Sequence, residues 1–474
     1  MSNPGDADAT PITSVRQLAE HIAVGCKPRD QFSLGTEHEK FGFSMATLAS
    51  PPYEPAPGAP GSIRGVLEGI AGNAPPGTWS PILDDGRPIG LNGPGYAAIS
   101  LEPAGQLELS GGLMPDLHAA RAELEAHYAE VRAAADPLGL GFAPLGFHPL
   151  NTRAQMPWMP KGRYAIMKAY MPKVGTMGLD MMTRTCTVQV NLDYASEADM
   201  VKKLRVALAL QPLASAMFAN SPFVEGKPSG FLSYRSLVWT DTDRARSGIP
   251  GVVFEEGFGF ERYVEWLVDT VPMYFSYRDG RYVDLSGRSF RDFMEGRLGV
   301  AEAGVATMGV AEAGVATVGD FADHMTTAFT DARLKRYIEM RGADAGSAEM
   351  MIAQSAFWVG LFYDDAALAA ASALVRAHPW TEFAALRLLV PRTALDTPWQ
   401  KGTLRDLMRE ALAIARDGLR ARARRDGRGR DETLHLAPLE AIAAGAPTQA
   451  EHWLDRYHGT WRGDVTHLLR EAAI

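Results

Sequence analysis

The chain has 474 residues, of which 46% are hydrophobic and 22% are charged, and its formal net charge is −9. This composition is typical of a globular protein with one large domain or two to three average ones. The acidic balance argues against nucleic acid and anionic membranes as partners, because both bind to a basic protein surface.

The predicted elements begin after a short polar segment. Residues 1–12 are expected to form a flexible tail. Amphipathic spacing predicts helices at 13–25, 62–72, 117–136, 198–218, 365–378 and 402–424. The Pro- and Gly-rich stretch 50–61 predicts a loop between the early elements.

The first strand with an unusual polar face is "GTEHEKFGF", residues 35–43. Side chains alternate across a strand, so Glu37 and Glu39 share one face while His38 and Lys40 occupy the other. A second segment, 97–112, predicts two short strands around a turn at 103–105. It places Glu102 before the turn, and Gln106, Glu108 and Ser110 on one face after it.

Two later segments show the same alternation. In "TRTCTVQVNLDY" (183–194) the polar face holds Thr185, Thr187, Gln189, Asn191 and Asp193, and Cys186 lies on the apolar face. In "RLKRYIEMRGAD" (333–344) it holds Lys335, Tyr337, Glu339 and Arg341. These patterns predict a sheet covered by helices on one side and open on the other.

A tandem repeat separates these last two segments. "GVAEAGVATM" is followed at once by "GVAEAGVATV", so that the repeat occupies residues 299–318. Two copies of a ten-residue period are too few for a solenoid. The repeat is predicted to be a low-complexity insertion in a surface loop.

Five carboxylates fall on the predicted polar faces, and they suggest a metal site. They are Glu37, Glu39, Glu102, Glu108 and Glu339. A sheet with one solvated face would account for each of them singly. Together on one concave surface they would repel each other unless cations neutralised them. Oxygen ligands select hard ions, so Mg²⁺ is expected, with Mn²⁺ as a substitute.

Basic residues in loop-like contexts could accompany such a metal as phosphate ligands. They are Lys161, Arg163, Lys173, Arg235, Arg244, Arg246 and Arg341. Arginine binds phosphate and carboxylate through two parallel hydrogen bonds, and lysine acts as a point charge. The sequence contains no P-loop and no strand-following GxGxxG, so a nucleotide would have to be held by the metal and the sheet.

The location of the protein is predicted from its cysteines and its termini. Cys26 and Cys186 are too few for a disulfide framework. The N-terminal residues lack the features of a secretory signal, and no apolar run is long enough to span a membrane. A cytoplasmic protein is therefore expected. Because Cys186 faces the apolar side of its strand, a covalent cysteine nucleophile is not expected.

These segments, with "MPKGRYAIMKAYMPKVGTMGLDMM" and "WTDTDRARSG", resemble the plant-type glutamate–cysteine ligases, a group also found in bacteria. The resemblance runs from about residue 13 to the C-terminus and implies that 13–474 is one catalytic domain. It implies the glutamine-synthetase-like fold, an α+β fold with a curved, mainly antiparallel sheet forming an open cradle and helices packed on its outer face. It also implies an ATP-dependent ligase that joins L-cysteine to the γ-carboxylate of L-glutamate through a γ-glutamyl phosphate, the first step of glutathione biosynthesis.

The resemblance also implies roles for the residues found above. The five carboxylates would hold two or three Mg²⁺ ions, with ATP as co-substrate. Arg235, Arg341 and Lys161 would be catalytic. Substrate and ATP contacts would come from Arg163, Lys173, Gln189, Asn191, Arg246 and Lys335. Glutamate, cysteine and ATP would be the only partners, bound by a monomer or a homodimer.

Two alternative functions remain open, and the sequence differs from the plant family at one point. A related ligase could use glutamate with another small amine, because no thiol pocket is visible in the sequence. An inactive scaffold of the same fold would be expected to lack some of the carboxylates. Plant members carry redox-active cysteines in the segment that corresponds to 283–300, and this segment has none here, so a disulfide switch is not expected.

Overall fold

The computed structural model describes residues 8–57, 61–278, 280–298 and 314–474. Its centre is a nine-stranded sheet, in which all pairs of neighbouring strands are antiparallel. We number its strands β1 (Leu34–Ser44), β2 (Ser80–Asp84), β3 (Arg87–Asn92), β4 (Ala98–Leu101), β5 (Leu107–Ser110), β6 (Leu140–Ala143), β7 (Thr187–Leu192), β8 (Ala332–Leu334) and β9 (Ile338–Asp344). The order is β8-β9-β7-β1-β5-β4-β3-β2, and β6 pairs with the second half of β1. The α+β prediction is confirmed.

Helices surround this sheet. In the described residues they are α1 (Val15–Ala23), α2 (Ile63–Asn73), α3 (Leu117–Ala135), α4 (Gly162–Tyr170), α5 (Gly178–Arg184), α6 (Glu197–Met217), α7 (Tyr234–Val238), α8 (Phe260–Thr270), α9 (Phe290–Met294), α10 (Val318–Thr326), α11 (Ala348–Phe362), α12 (Asp365–Arg376), α13 (Trp380–Leu386), α14 (Val390–Thr393), α15 (Leu404–Arg422), α16 (Ala437–Ala443), α17 (Gln449–His458) and α18 (Thr466–Glu471). Short two-stranded pairs join Phe223–Val224 to Lys227–Pro228, Ser247–Gly248 to Phe329–Thr330, Phe275–Arg278 to Arg281–Asp284, and Pro398–Trp399 to Gly402–Thr403.

The six helices predicted from amphipathic spacing are present as α1, α2, α3, α6, α12 and α15. Polar caps define where several of them begin. Ser14, Asp116 and Ser196 each accept a hydrogen bond from a backbone N–H of the first turn. Such caps satisfy donors that have no partner within the helix. The local sequence therefore fixes the starts of these helices.

One face of the sheet packs on the main hydrophobic core. Helix α11 is buried from Met350 to Phe362, and α6 lies against β9. Ser215 of α6 donates a 3.0 Å hydrogen bond to the carbonyl of Gly342 in β9. His38 and Lys40 are fully buried on this face, as the alternation of β1 predicted. The apolar side of the sheet is thus closed by helices.

The opposite face of the sheet is partly covered by a smaller layer, which we call the cap. It consists of α4, α5 and the hairpin formed by Phe275–Arg278 and Arg281–Asp284. A separate apolar cluster holds the cap together: Tyr164, Met167, Met171, Met182, Tyr274, Phe275 and Phe329. A polar cavity remains between the cap and the sheet.

The N-terminal segment contacts the end of the repeat. Ile12 N–H donates to the carbonyl of Ala316 at 3.0 Å, and Val318 N–H donates to the carbonyl of Thr10 at 2.9 Å. Residues 8–12, expected to belong to a flexible tail, are therefore paired with the chain around α10. Most of the predicted insertion 299–318 lies outside the described residues, and its last residue begins α10.

Among the described residues, no single helix is both long and apolar enough to cross a membrane. Helices α11 and α12 would reach the required length only together, and the chain bends by 94° between them. The apolar character of α11 is explained by its burial in the main core.

Candidate active site

The cavity between the cap and the sheet gathers charged side chains of both signs. We call it the sheet cavity. It is lined by Glu37, Glu39, Glu102, Pro103, Gln106, Glu108, Arg163, Tyr164, Met167, Met181, Met182, Thr185, Thr187, Gln189, Arg235, Trp239, Thr326, Phe329, Arg333 and Arg341. Strands β1, β5 and β7 supply its floor, while α4, α5 and the loops near Trp239 and Phe329 supply its walls.

Four of the five predicted carboxylates line the sheet cavity: Glu37, Glu39, Glu102 and Glu108. The strand register explains why they meet. Glu39 in β1 lies opposite Glu108 in β5, and Glu37 lies between Ser110 and Gln189 of the flanking strands. Chain segments far apart in sequence thus deliver carboxylates to one surface.

Neutral donors hold three of these carboxylates, those of Glu39, Glu108 and Glu37. The backbone N–H of Thr187 donates to Oε2 of Glu39 at 2.9 Å. Ser100 Oγ donates to Oε2 of Glu108 at 2.7 Å. Asn191 Nδ2 donates to Oε1 of Glu37 at 2.8 Å, while the Oδ1 of Asn191 is buried without a partner in the described residues.

Burial raises the pKa of Glu39 well above its ordinary value, and the neighbouring charges of Glu102 and Glu108 raise it further. A cation bound beside Glu39 would favour the ionised form of its carboxyl group. The oxygen donors therefore fit a hard divalent cation in their chemistry. Within the described residues, no group of three or more acidic, histidine or cysteine side chains is arranged to hold a metal ion.

Two buried arginines, Arg163 and Arg235, line the cavity. Arg163 lies over the ring of Phe275 at 5.0 Å. Arg235 donates to the carbonyls of Arg341 at 2.9 Å and Gly342 at 3.2 Å. The Nε atom of each guanidinium has no hydrogen-bond partner among the described residues. Each guanidinium therefore keeps one donor that no described residue satisfies.

Arg235 is oriented by a buried acid, Asp344. The carboxylate of Asp344 lies 3.8 Å from Nη1 of Arg235 and accepts hydrogen bonds from Ser221 Oγ (2.6 Å) and Ser233 Oγ (2.9 Å). Gly146 packs beside it, and a Cβ atom there would stand 2.3 Å from the Asp344 carboxyl carbon. Asp344 is 1% exposed, so this geometry is fixed by packing on all sides.

Arg333 and Arg341 form the edge of the cavity at β8 and β9. Arg341 donates from Nη1 to Oε1 of Gln189 at 2.6 Å. Burial and the adjacent charge of Arg333 lower the pKa of Arg341 to about 10. Arg333 donates to the carbonyl of Thr326 and, at 3.2 Å, to that of Ala328.

The predicted metal ligand Glu339 is placed differently from the other four carboxylates. It is fully buried and does not line the sheet cavity. Its oxygens lie 2.5 Å from both Arg333 Nε and Lys335 Nζ, and 3.6 Å from Arg341 Nη1. These charges hold the pKa of Glu339 well below its usual range. The carboxylate is already neutralised by the protein's own cations.

Other predicted site residues lie near the cavity or away from it. Lys161 lines a neighbouring surface pocket. Burial lowers the pKa of Lys161 to about 8, although the negative charge of Glu102 acts to raise it. Asn191 and Lys335 contact Glu37 and Glu339 without lining the cavity.

Two predicted phosphate ligands, Lys173 and Arg246, are displaced from the site. Lys173 is exposed and does not line the sheet cavity. Arg246 is fully buried, where it donates to Asp243 Oδ2 at 2.7 Å and to Thr327 Oγ1 at 3.0 Å and stacks over Tyr274 at 3.9 Å. Those predictions placed the residues by loop context alone, and packing directs Arg246 into the cap.

The sequence interpretation missed Arg333 and the apolar wall. Arg333 lies two residues before Lys335, so the alternation of segment 333–344 contained the signal. The segment was expected to be one strand, but it forms the β8–β9 hairpin, which folds Arg333 back onto Glu339. The wall of Met167, Met181, Met182, Trp239 and Phe329 comes from the cap, for which strand alternation gives no information.

Cys186 is fully buried behind the sheet, as predicted. Burial raises the pKa of its thiol well above the ordinary value, and the charge of Glu39 raises it further. A thiol that stays protonated is a poor nucleophile. Both cysteines are free in the structure.

Comparison with known proteins identifies what this arrangement is similar to. The profile of a family described as glutamate–cysteine ligase family 2 matches residues 33–471. Glutamate–cysteine ligase B, chloroplastic, of Oryza sativa subsp. japonica is 45% identical over 463 residues, which cover 97% of this chain and 87% of that protein. The chloroplastic enzyme of Arabidopsis thaliana is also 45% identical over 463 residues, covering 98% and 83%.

A solved structure supports the fold. The glutamate–cysteine ligase of Francisella tularensis in complex with AMP superposes with a TM-score of 0.50 at 12% identity, covering 93% of this chain and 88% of that one. At this identity the likeness concerns the fold alone. It agrees with a helix-covered antiparallel sheet.

The comparisons contradict one prediction, a cytoplasmic location. The curated relatives from Oryza sativa, Medicago truncatula and Arabidopsis thaliana are chloroplastic proteins. The cytoplasmic prediction was wrong because it depended on few cysteines and on the lack of a secretory signal. Those features argue against an oxidising compartment and do not distinguish among the others.

Proposed function

The chain belongs to glutamate–cysteine ligase family 2, and we propose that it uses ATP to join the amine of L-cysteine to the γ-carboxylate of L-glutamate. The products are γ-glutamylcysteine, ADP and phosphate, and the reaction is the first step of glutathione biosynthesis. One observation supports assigning this reaction to the sheet cavity. Four carboxylates and four arginines line a single cavity on the open face of the sheet.

The reaction consists of two displacements. An oxygen of the γ-carboxylate attacks the γ-phosphorus of ATP, the bond to ADP breaks, and a γ-glutamyl phosphate forms. The cysteine nitrogen then attacks the carbonyl carbon, the bond to phosphate breaks, and the nitrogen loses its extra proton. Phosphoryl transfer of this kind depends on positioning and charge neutralisation more than on covalent help from the protein.

We assign the anionic groups of the substrates to the arginines. Arg163 and Arg235 line the cavity, and the Nε atom of each has no partner among the described residues. Arg341, whose side chain is fixed by Gln189, presents a fork to the same space. Arginine suits this role because its planar donors match phosphate and carboxylate geometry and strengthen as charge develops. Arg235 and Arg341 thus remain our candidates for the catalytic cations.

We assign Mg²⁺ to Glu37, Glu39, Glu102 and Glu108, whose oxygens are the donors that hard cations prefer. When bound, the metal would neutralise phosphate charge and polarise the transferring group. The raised pKa of Glu39 supports this assignment, because a cation would relieve the mutual repulsion of these acids. For Glu339 we propose a role other than metal ligand: its carboxylate anchors Arg333 and Lys335.

The assignment is tested by ADP release from the purified protein with L-glutamate, MgATP and a panel of amines. Turnover with cysteine well above that with 2-aminobutyrate and alanine is the expected result. Equal turnover with all three would favour a ligase for another small amine. The methionine-lined wall carries no group that would distinguish a thiol from a methyl group. No ADP release with any amine would favour an inactive scaffold. A monomer or a homodimer is still our prediction for the assembly.

A further inference from the structure

A second concave surface lies outside the sheet cavity and shares none of its lining residues. We call it the outer groove. It is formed by the first half of α6, the segment before α8, and the junction of α12 with α13. Its lining residues are Ala198, Val201, Lys202, Arg205, Val206, Phe254, Ser372, Val375, Arg376, His378 and Trp380. None of them carries a carboxylate.

Three permanent cations converge on this groove: Lys202, Arg205 and Arg376. Within the described residues none of them forms an ion pair. Arg205 donates to the carbonyls of Val253 at 2.8 Å and Glu255 at 2.7 Å, and burial alone lowers its pKa. Lys202 and Arg376 are exposed. The groove is therefore a concentrated positive site on a chain with net charge −9.

Three neighbouring acids, Glu255, Glu197 and Asp199, have partners other than these cations. Glu255 pairs with Arg262 at 3.0 Å. Glu197 accepts a 2.6 Å hydrogen bond from the N–H of Phe260. Asp199 pairs with Lys203 at 3.0 Å. His378 lies 3.7 Å from the carboxylate of Glu382.

The remainder of the groove is apolar and aromatic. Val201, Val206 and Val375 lie among its lining residues, and the rings of Phe254 and Trp380 stack at 5.2 Å with an interplanar angle of 8°. Gly251 lies against Trp380, where a Cβ atom would stand 3.0 Å from the ring. An apolar surface with a few charged groups at its edge is the usual composition of a small-molecule site.

We propose that the outer groove binds a small amphipathic organic anion, with an aromatic or branched apolar body and one or two carboxylate, sulfonate or phosphate groups. The anionic end pairs with Lys202, Arg205 and Arg376, and the apolar body packs on the valines and the ring pair. A second copy of the chain is the other candidate occupant. It is disfavoured because two copies with net charge −9 repel each other.

The probe for this site is 8-anilinonaphthalene-1-sulfonate, an aromatic sulfonate whose fluorescence increases in apolar surroundings. It is titrated into the full chain at low salt, with and without saturating MgATP and L-glutamate. The variant K202A/R376A removes two exposed cations from the groove. The matched control R424A/R428A removes two exposed arginines from the loop after α15. Thermal unfolding verifies that both variants are folded.

We expect the probe to bind K202A/R376A about tenfold more weakly than wild type, which corresponds to about 1.4 kcal/mol. The control should bind as wild type does, and MgATP with glutamate should not displace the probe. Equal affinity in K202A/R376A would overturn the proposal, and so would displacement by MgATP and glutamate. Sedimentation supplies a further outcome: a change of oligomeric state in K202A/R376A alone would show that a second copy occupies the groove, which also overturns it.

Discussion

Nη1 of Arg341 donates a 2.6 Å hydrogen bond to Oε1 of Gln189, and this contact ties β9 to β7 at the wall of the sheet cavity. The same guanidinium lies 3.6 Å from Glu339. Its position is therefore determined from two sides before any substrate binds. The guanidinium of Arg341 is therefore preorganised for an anionic substrate group.

Replacing Arg341 by lysine keeps the charge and removes the planar fork. We expect kcat/KM for glutamate to fall by about 10²-fold, because one ammonium cannot hold Gln189 and a substrate oxyanion in the same geometry. Steady-state ADP release measures the loss. Gln189→Glu is the companion variant, since it keeps a partner for Arg341. A lysine variant as active as wild type would remove Arg341 from the catalytic set.

Glu37→Gln and Glu39→Gln test the metal assignment. Each change removes a charged oxygen ligand from the cavity while preserving side-chain size. We expect ADP formation to fall by about 10²–10³-fold, and Mn²⁺ binding followed by calorimetry to weaken in parallel. Glu123→Gln is the control, because Glu123 accepts a hydrogen bond from Gly112 N–H outside the cavity. If activity and Mn²⁺ affinity both survive, the metal lies elsewhere.

Glu339→Gln separates an anchor from a metal ligand. The change leaves Arg333 and Lys335 buried without their carboxylate. Loss of one partner of a buried ion pair costs about 3–5 kcal/mol of folding free energy. We therefore expect a lower unfolding midpoint in denaturant and unchanged Mn²⁺ affinity in the folded protein. A loss of Mn²⁺ affinity as large as that of Glu39→Gln would make Glu339 a ligand.

Asp344→Asn tests whether Asp344 positions Arg235. Asparagine keeps the shape of the side chain and removes the charge that lies 3.8 Å from Arg235. We expect the KM of the substrate bound by Arg235 to rise about tenfold with a smaller change in kcat, since the guanidinium keeps its backbone contacts. Asp193→Asn, a buried acid outside the cavity, is the control for general destabilisation. Equal effects in the two variants would mean that Asp344 acts on stability alone.

His148 predicts how stability changes with acid. It is fully buried and accepts a 3.0 Å hydrogen bond from Asn151 N–H, and burial followed by the charge of Arg184 lowers its pKa to about 3. In the unfolded chain the imidazole of His148 is protonated below about pH 6.5, whereas in the folded protein it is protonated only below about pH 3. Stability is therefore complete above pH 6.5 and falls as the pH drops through that window.

When the pH is lowered from 8 to 5, the contribution of His148 should decrease the free energy of unfolding by about 2 kcal/mol. Denaturant unfolding of wild type and His148→Asn over this range isolates its share, because other buried histidines act equally in both proteins. The variant should lose less stability on acidification. Parallel curves for the two proteins would refute the assignment of a neutral, buried His148.

Local patterns in the sequence determined the positions of the helices and the faces of the strands. Alternation alone put Glu37 and Glu39 on one side of β1 and His38 and Lys40 on the other, because it is a property of the extended backbone. It also placed Glu108 and Gln189 on the polar face, where the register then brought them beside β1. The family resemblance came in part from these same segments.

Tertiary structure decided which charges remain available. Arg246 and Glu339 carry the same charges as the residues that line the cavity, yet their partners Asp243, Arg333 and Lys335 already neutralise them. Such pairing depends on distances of a few ångströms set by packing of the cap and by the turn of the β8–β9 hairpin. The spacing of residues along the sequence does not give those distances, because they depend on how the folded chain brings side chains together.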